Sequence, residues 1–134
     1  MRGRYLKVLF VCQLNMVRSP MAEGLARARG HDAYSCGLTP GEPDELMMTV
    51  MRDKGIDMDD HAPKSLQDYE GESFDAVIAF SADARAASEA VFGEDANILL
   101  WNLPMPQTGT HDVRAVLDTY RSIRDIIDGR IAKL

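Results

Sequence analysis

The sequence has no apolar run long enough to cross a bilayer, and its 134 residues hold only two cysteines, Cys12 and Cys36. The first absence leaves no candidate membrane helix. The apolar stretch from Tyr5 to Cys12 is too short for a secretory signal core with a cleavage site behind it, and it ends in polar residues. Two thiols make no disulfide scaffold in a chain of this size, which fits a reducing compartment and predicts a cytoplasmic protein. A basic surplus is also missing: 15 Lys and Arg against 21 Asp and Glu leave a formal charge of −6. Phosphate backbones are bound by a surplus of Lys and Arg, so a nucleic-acid partner is not expected, and neither is a membrane. No repeat, low-complexity tract or linker divides the chain, and residues 1–134 read as one domain. What is present is an ordinary globular mix, 46% hydrophobic and 27% charged, sufficient for one buried core.

Strand and helix signals alternate. Tyr5 to Val11 is a short apolar run interrupted by Lys7, as in a buried strand. Ser19 followed by Pro20 reads as an N-cap and a first helical position, with Gly30 as the stop. Asp32 to Cys36 is a candidate strand, and Gly37 to Pro43 a loop. Leu46, Met47, Val50 and Met51 recur at helical spacing, and Ser65 to Tyr69 suggests another turn. Phe74 to Phe80 and Ala96 to Trp101 read as strands on either side of a helix capped by Ser81 and closed by Gly93. Val113, Val116, Leu117, Tyr120, Ile123, Ile127 and Ile131 trace one face of a final helix. This order implies an α/β fold, a parallel sheet with helices on both faces. In such sheets ligands bind beyond the carboxyl ends of the strands, which directs attention to the loops after Val11, Cys36, Phe80 and Trp101.

The loop after the first strand carries the chemistry. Residues 12 to 20 read Cys-Gln-Leu-Asn-Met-Val-Arg-Ser-Pro. A loop that wraps into a helix N-terminus turns backbone N–H groups inward, and the helix dipole adds partial positive charge. Gln13, Leu14, Asn15, Met16 and Val17 would supply those amides to a phosphate-sized oxyanion. Arg18 offers a planar fork for two oxygens. The same field favours thiolate over thiol at Cys12, and Ser19 can donate its hydroxyl to that sulfur. Asn15 tolerates a left-handed backbone, which a tight loop of this kind needs.

Val-Leu-Phe-Val-Cys at 8 to 12, Asn15, and Arg-Ser-Pro-Met-Ala-Glu at 18 to 23 resemble the low-molecular-weight protein tyrosine phosphatases. The resemblance continues through Ser35-Cys36-Gly37, Gly55-Ile56-Asp57, His61, Phe74-Asp75 and Leu103-Pro104-Met105-Pro106. It implies a three-layer fold with four parallel strands and a two-step hydrolysis of a phosphate monoester, either protein phosphotyrosine or a small aryl phosphate, through a phosphocysteine. Cys12 would be the nucleophile, Arg18 would bind the phosphoryl oxygens, and Ser19 would stabilise the departing thiolate. Asn15, Ser35 and His61 would brace the loop. No cofactor or metal is implied.

The sequence departs from this pattern at the site. The family's general acid, an Asp directly before Pro106, is here Met105, and the aromatic that follows is Gln107; both would form the rim of the substrate pocket. Leu14 stands where Gly is common, Phe80-Ser81 replaces Met-Asp, and the Gly37 to Pro43 loop is short. A positioned acid is worth about 10²–10⁴-fold in rate, so the implied activity is weakened. Two other functions stay open: a phosphate- or phosphoprotein-binding module without catalysis, and, ranked last, an arsenate reductase with Cys36 as its available second thiol. Asp112 reads as a charge at a helix N-terminus ahead of a replacement acid, and His111 and His31 as surface residues. Asp57, Asp59 and Asp60 lack the pattern of a calcium loop and read as a solvated turn. Cys36 reads as an inert buried thiol, with a redox role beside Cys12 as the alternative.

Overall fold

A computed structural model describes residues 5–104, 106 and 112–134. Strands and helices alternate as β1 (Lys7–Cys12), α1 (Arg18–Ala28), β2 (Asp32–Gly37), α2 (Glu45–Arg52), β3 (Ala76–Ala79), α3 (Ala82–Phe92), β4 (Ile98–Leu100) and α4 (Val113–Ile131), with a 3-10 turn at Leu66–Tyr69. The four strands form one parallel sheet in the order β2-β1-β3-β4. This is the expected α/β architecture with helices on both faces. The order reverses at β1: the chain leaves β1 for β2 on one side, and β3 lies on the other. The loop after Cys12 therefore opens at the switch point.

Period-two alternation divides the core. Val8, Phe10 and Cys12 face one way and join Met21, Leu25, Met47, Met51, Ile123 and Ile127 of α1, α2 and α4. Leu9, Val11 and Cys36 face the other way, with Leu66, Tyr69 and Ala84 of the 3-10 turn and α3. α2 is capped by Asp44, α3 by Ser81 and α4 by Asp112, each side chain accepting backbone N–H groups of the first turn.

The elements differ from the sequence reading where tertiary contacts compete with local signals. β1 starts at Lys7 and runs on to Cys12. β3 and β4 are shorter than the apolar runs 74–80 and 96–101. Phe74 leaves the ladder for an aromatic cluster, its ring centroid 5.9 Å from Tyr34 and Tyr69 and 5.8 Å from Phe92. Trp101 turns in against Phe10 and Phe80 at 6.0 and 6.1 Å. Ser19 is not an N-cap: α1 starts at Arg18, with Val17 at the cap position and no side-chain capping bond. His31 is half-buried instead of exposed, because its Nδ1 accepts the Leu6 N–H at 3.0 Å. No helix among the described residues is long and apolar enough to cross a membrane.

Candidate active site

The loop between β1 and α1 is held by its outward-facing carbonyls. Three N–H groups of the segment after β2 take them in turn: Leu38 donates to Cys12 at 3.1 Å, Thr39 to Gln13 at 2.9 Å and Gly41 to Leu14 at 3.0 Å. His61 Nε2 meets the Asn15 carbonyl at 3.0 Å. A peptide's C=O and N–H point in opposite directions. Fixing the carbonyls of 12 to 15 outward thus leaves the amides of Gln13, Leu14, Asn15 and Met16 turned inward. The Asn15 N–H does point at the Cys12 sulfur, 3.3 Å away. The tight course needs one residue of positive φ, and that residue is Asn15 at φ 56°.

Gly37, the last residue of β2, lets the loop approach so closely. A Cβ there would lie 2.7 Å from Asn15 N, 2.8 Å from Leu14 C and 3.0 Å from Gln13 O. All three are backbone atoms, so no side chain could swing aside.

Cys12 Sγ is 2.8 Å from Ser19 Oγ. Asn15 Nδ2 donates to Ser19 Oγ at 2.9 Å, which uses the hydroxyl as an acceptor and frees its hydrogen. That hydrogen can reach the sulfur or the Cys36 carbonyl, and the latter is farther off at 3.3 Å. This explains why Ser19 caps nothing: its hydroxyl is turned to the sulfur. Arg18 is 4% exposed and is anchored by Nη1 to the carbonyls of Leu103 at 2.8 Å and Phe80 at 3.4 Å. These carbonyls come from the loops after β4 and β3, so three strand ends fix one guanidinium. Burial lowers its ionisation from the ordinary arginine value, partly offset by Cys12.

The expected braces meet at Asn15, which is fully buried. Its Nδ2 also donates to Ser35 Oγ at 2.9 Å, and its Oδ1 accepts the Lys64 N–H at 2.9 Å. Ser35 passes the chain on by donating to Glu23 Oε1 at 2.7 Å, and Arg27 pairs with the other oxygen of Glu23 at 3.2 Å. The role of Glu23 in this network was not read from sequence, where it enters only as the last residue of the Arg-Ser-Pro-Met-Ala-Glu resemblance. Burial is the main cause that lowers the ionisation of His61 from the ordinary histidine value, against the Asn15 hydrogen bond, and its Nδ1 has no partner among the described residues.

A cavity of about 90 Å³ opens over the sulfur. Cys12, Arg18 and Val17 line it, with Leu14, Met16 and Pro106 as further apolar walls and Asp44 and Tyr120 as polar ones. Asp44 and Tyr120 were also missed. The sequence marks Asp44 only by its place ahead of a helix, and Tyr120 as part of an apolar stripe. Met105, Gln107 and His111 lie outside the described residues. Asp112 caps α4, its Oδ1 accepting the Ala115 N–H at 3.2 Å. Asp57 closes a turn onto the Asp59 N–H, and Asp59 pairs with Arg52 at 2.9 Å.

Cys36 stands in register with Val11 on the neighbouring strand. Its side chain therefore lies on the face opposite Cys12. It is fully buried, and that burial pushes its thiol far up. The two side chains thus leave opposite faces of the sheet, which argues against a direct redox partnership between the sulfurs.

The model of the low molecular weight phosphotyrosine protein phosphatase family matches residues 7–134. A glutaredoxin arsenate reductase of Synechocystis sp. is 33% identical over 75 residues. That match takes in 54% of this chain and 57% of the relative, so the chain spans little more than half of that protein's length. A solved low molecular weight protein tyrosine phosphatase from T. tengcongensis is 29% identical with a TM-score of 0.73, covering 95% of this chain and 98% of that one. A tyrosine phosphatase of Erwinia amylovora, at 19% identity, shares the fold with a TM-score of 0.77 over 99% of this chain and 93% of its own.

Proposed function

The chain belongs to the low molecular weight phosphotyrosine protein phosphatase family, and from that membership we propose that residues 1–134 act as one cysteine-dependent phosphomonoesterase domain. The substrate is a phosphate monoester, protein phosphotyrosine or a small aryl phosphate. Cys12 attacks phosphorus, forming an S–P bond as the P–O bond to the leaving group breaks. Water then attacks the phosphocysteine, releasing inorganic phosphate and the thiolate. Arg18, the inward amides of Gln13 to Met16 and the amide of Val17 hold the phosphoryl oxygens through both steps. Ser19 donates to sulfur and stabilises it as the second leaving group. Asn15, Ser35 and His61 keep the loop in shape. One observation carries the reading: the Cys12 sulfur faces both the Ser19 hydroxyl at 2.8 Å and the Asn15 amide at 3.3 Å, on a cavity it shares with Arg18.

With methionine at 105 the first step lacks the family's proton donor. The leaving oxygen then departs as an anion or takes its proton from water, which favours acidic phenols over tyrosine. The same absence, with glutamine at 107, is what a binding module without turnover would also carry. The kinship with an arsenate reductase raises a third reading; the placement of Cys36 argues against any form of it in which Cys36 resolves an adduct on Cys12. The deciding assay is release of phosphate from 4-nitrophenyl phosphate and from a phosphotyrosine peptide. We expect turnover of the activated ester, slow turnover of the peptide, and loss of both in Cys12→Ser. Vanadate binding with no turnover of either ester would leave the binding module.

A further inference from the structure

The cavity over the loop has two chemically opposite sides. Its floor is built for an anion. Its other polar side is Asp44 with Tyr120. Asp44 Oδ1 caps α2, accepting the N–H groups of Leu46 at 2.9 Å and Met47 at 3.1 Å. Capping needs no more than that oxygen. Oδ2 accepts the hydroxyl of Tyr120 at 2.7 Å, across 76 residues of sequence, where α4 packs on α2. Tyr120 is 1% exposed, and its single hydrogen is used on the carboxylate. This side of the cavity therefore offers a ligand only acceptor lone pairs and one negative charge. Among the described residues no Lys, Arg or His lies within ion-pair distance of that carboxylate.

A carboxylate with no cationic partner beside a phosphate dianion is repulsive unless a cation sits between them. Half-buried Leu14 and Met16 give a hydrocarbon stem something to pack against on the way from the floor to the carboxylate. We propose that Asp44, held in place by Tyr120, selects phosphorylated substrates whose leaving side carries a positively charged amine. The proposal rests on the reading of the Cys12 loop as the phosphate site. It adds a specificity-determining residue that acts on the part of the substrate beyond the phosphate. It also gives the short loop before α2 a function.

The test compares two non-hydrolysable ligands, benzylphosphonate and its para-aminomethyl derivative, by calorimetry against the whole chain. A charge-assisted contact at a half-buried site should make the amine bind about fivefold to tenfold tighter. Asp44→Asn keeps an oxygen for the α2 cap and removes the charge, so the affinity ratio should fall to about one. In wild type the ratio should also shrink in about 1 M salt, where the Debye length is about 3 Å; this arm needs no variant to fold. A ratio of one in wild type, or a preference that survives both Asp44→Asn and high salt, overturns the proposal while leaving the phosphate site standing. Failure of both phosphonates to bind overturns the phosphate site and the proposal with it.

Discussion

Gly37→Ala should destabilise the protein and weaken its hold on oxyanions, although an extra methyl in a strand is ordinarily harmless. At an open position whose φ suits any residue, Gly→Ala stabilises by about 0.4–1 kcal/mol, because the unfolded chain loses freedom. Gly37 has no positive φ, so backbone strain does not enter. Space decides the sign. The new Cβ would meet Asn15 N at 2.7 Å, Leu14 C at 2.8 Å and Gln13 O at 3.0 Å, against ordinary contacts of about 3.5–4.0 Å. To restore contact distance, β2 and the loop must separate by several tenths of an ångström to about 1 Å. That movement strains the bonds from Leu38, Thr39 and Gly41 that hold the loop carbonyls outward. Overpacking of this kind costs about 1–3 kcal/mol. A reacting group displaced by about 1 Å can cost about 10²-fold in rate. Urea unfolding would read the first effect, and vanadate affinity with 4-nitrophenyl phosphate turnover the second. A variant as stable as wild type that binds vanadate equally well would refute the claim that β2 clamps the loop.

Three further outcomes follow from the same geometry. Iodoacetamide should label Cys12, which faces the cavity, and spare Cys36, which is buried on the far face with its thiol pushed up; peptide mass spectrometry reads this, and equal labelling would contradict the assigned faces. Because burial lowers the ionisation of His61 from 6.5, the unfolded chain takes up a proton there before the folded chain does as pH falls. Its contribution to stability is thus full above about pH 6.5 and lost as pH drops through the lowered folded value, so between about pH 7.5 and about pH 5.5 His61→Gln should lose less stability than wild type; an identical loss would remove His61 as a cause. Met105→Asp should raise phosphotyrosine turnover by part of the about 10²–10⁴-fold of a general acid, with a smaller gain on activated esters, and no gain on either would show that proton donation does not limit the reaction.

The architecture was legible because buried parallel strands are short, apolar and separated by helix signals, and Val8 to Val11 and Ala76 to Ala79 are of that kind. Cys12, Arg18 and Ser19 could be grouped from sequence because they lie in one local stretch, while the contacts that hold that stretch in shape come from distant elements. Ser35 and His61 came from resemblance alone, and Asn15 joins them in one network. Glu23, Asp44 and Tyr120 were not legible, since each matters through a contact with a distant element. Ser19-Pro20 misled for a related reason: the local pair looks like a helix start, but the hydroxyl is claimed by the Cys12 sulfur and Asn15. The redox alternative for Cys36 could not be weighed from sequence, because it turns on a register that only the folded sheet sets. Register with Val11 sets it one residue out of phase with Cys12, and one residue reverses the face.

A phosphocysteine at Cys12 is the intermediate on which the proposed hydrolysis depends. Rapid mixing with excess 4-nitrophenyl phosphate, an acid quench and mass spectrometry of the resulting peptides would locate the transferred group. A phosphoryl group on the Cys12 sulfur, formed within one turnover and absent from Cys12→Ser, is the predicted result. Hydrolysis that continues in Cys12→Ser, or a phosphoryl group on any other side chain, would contradict it.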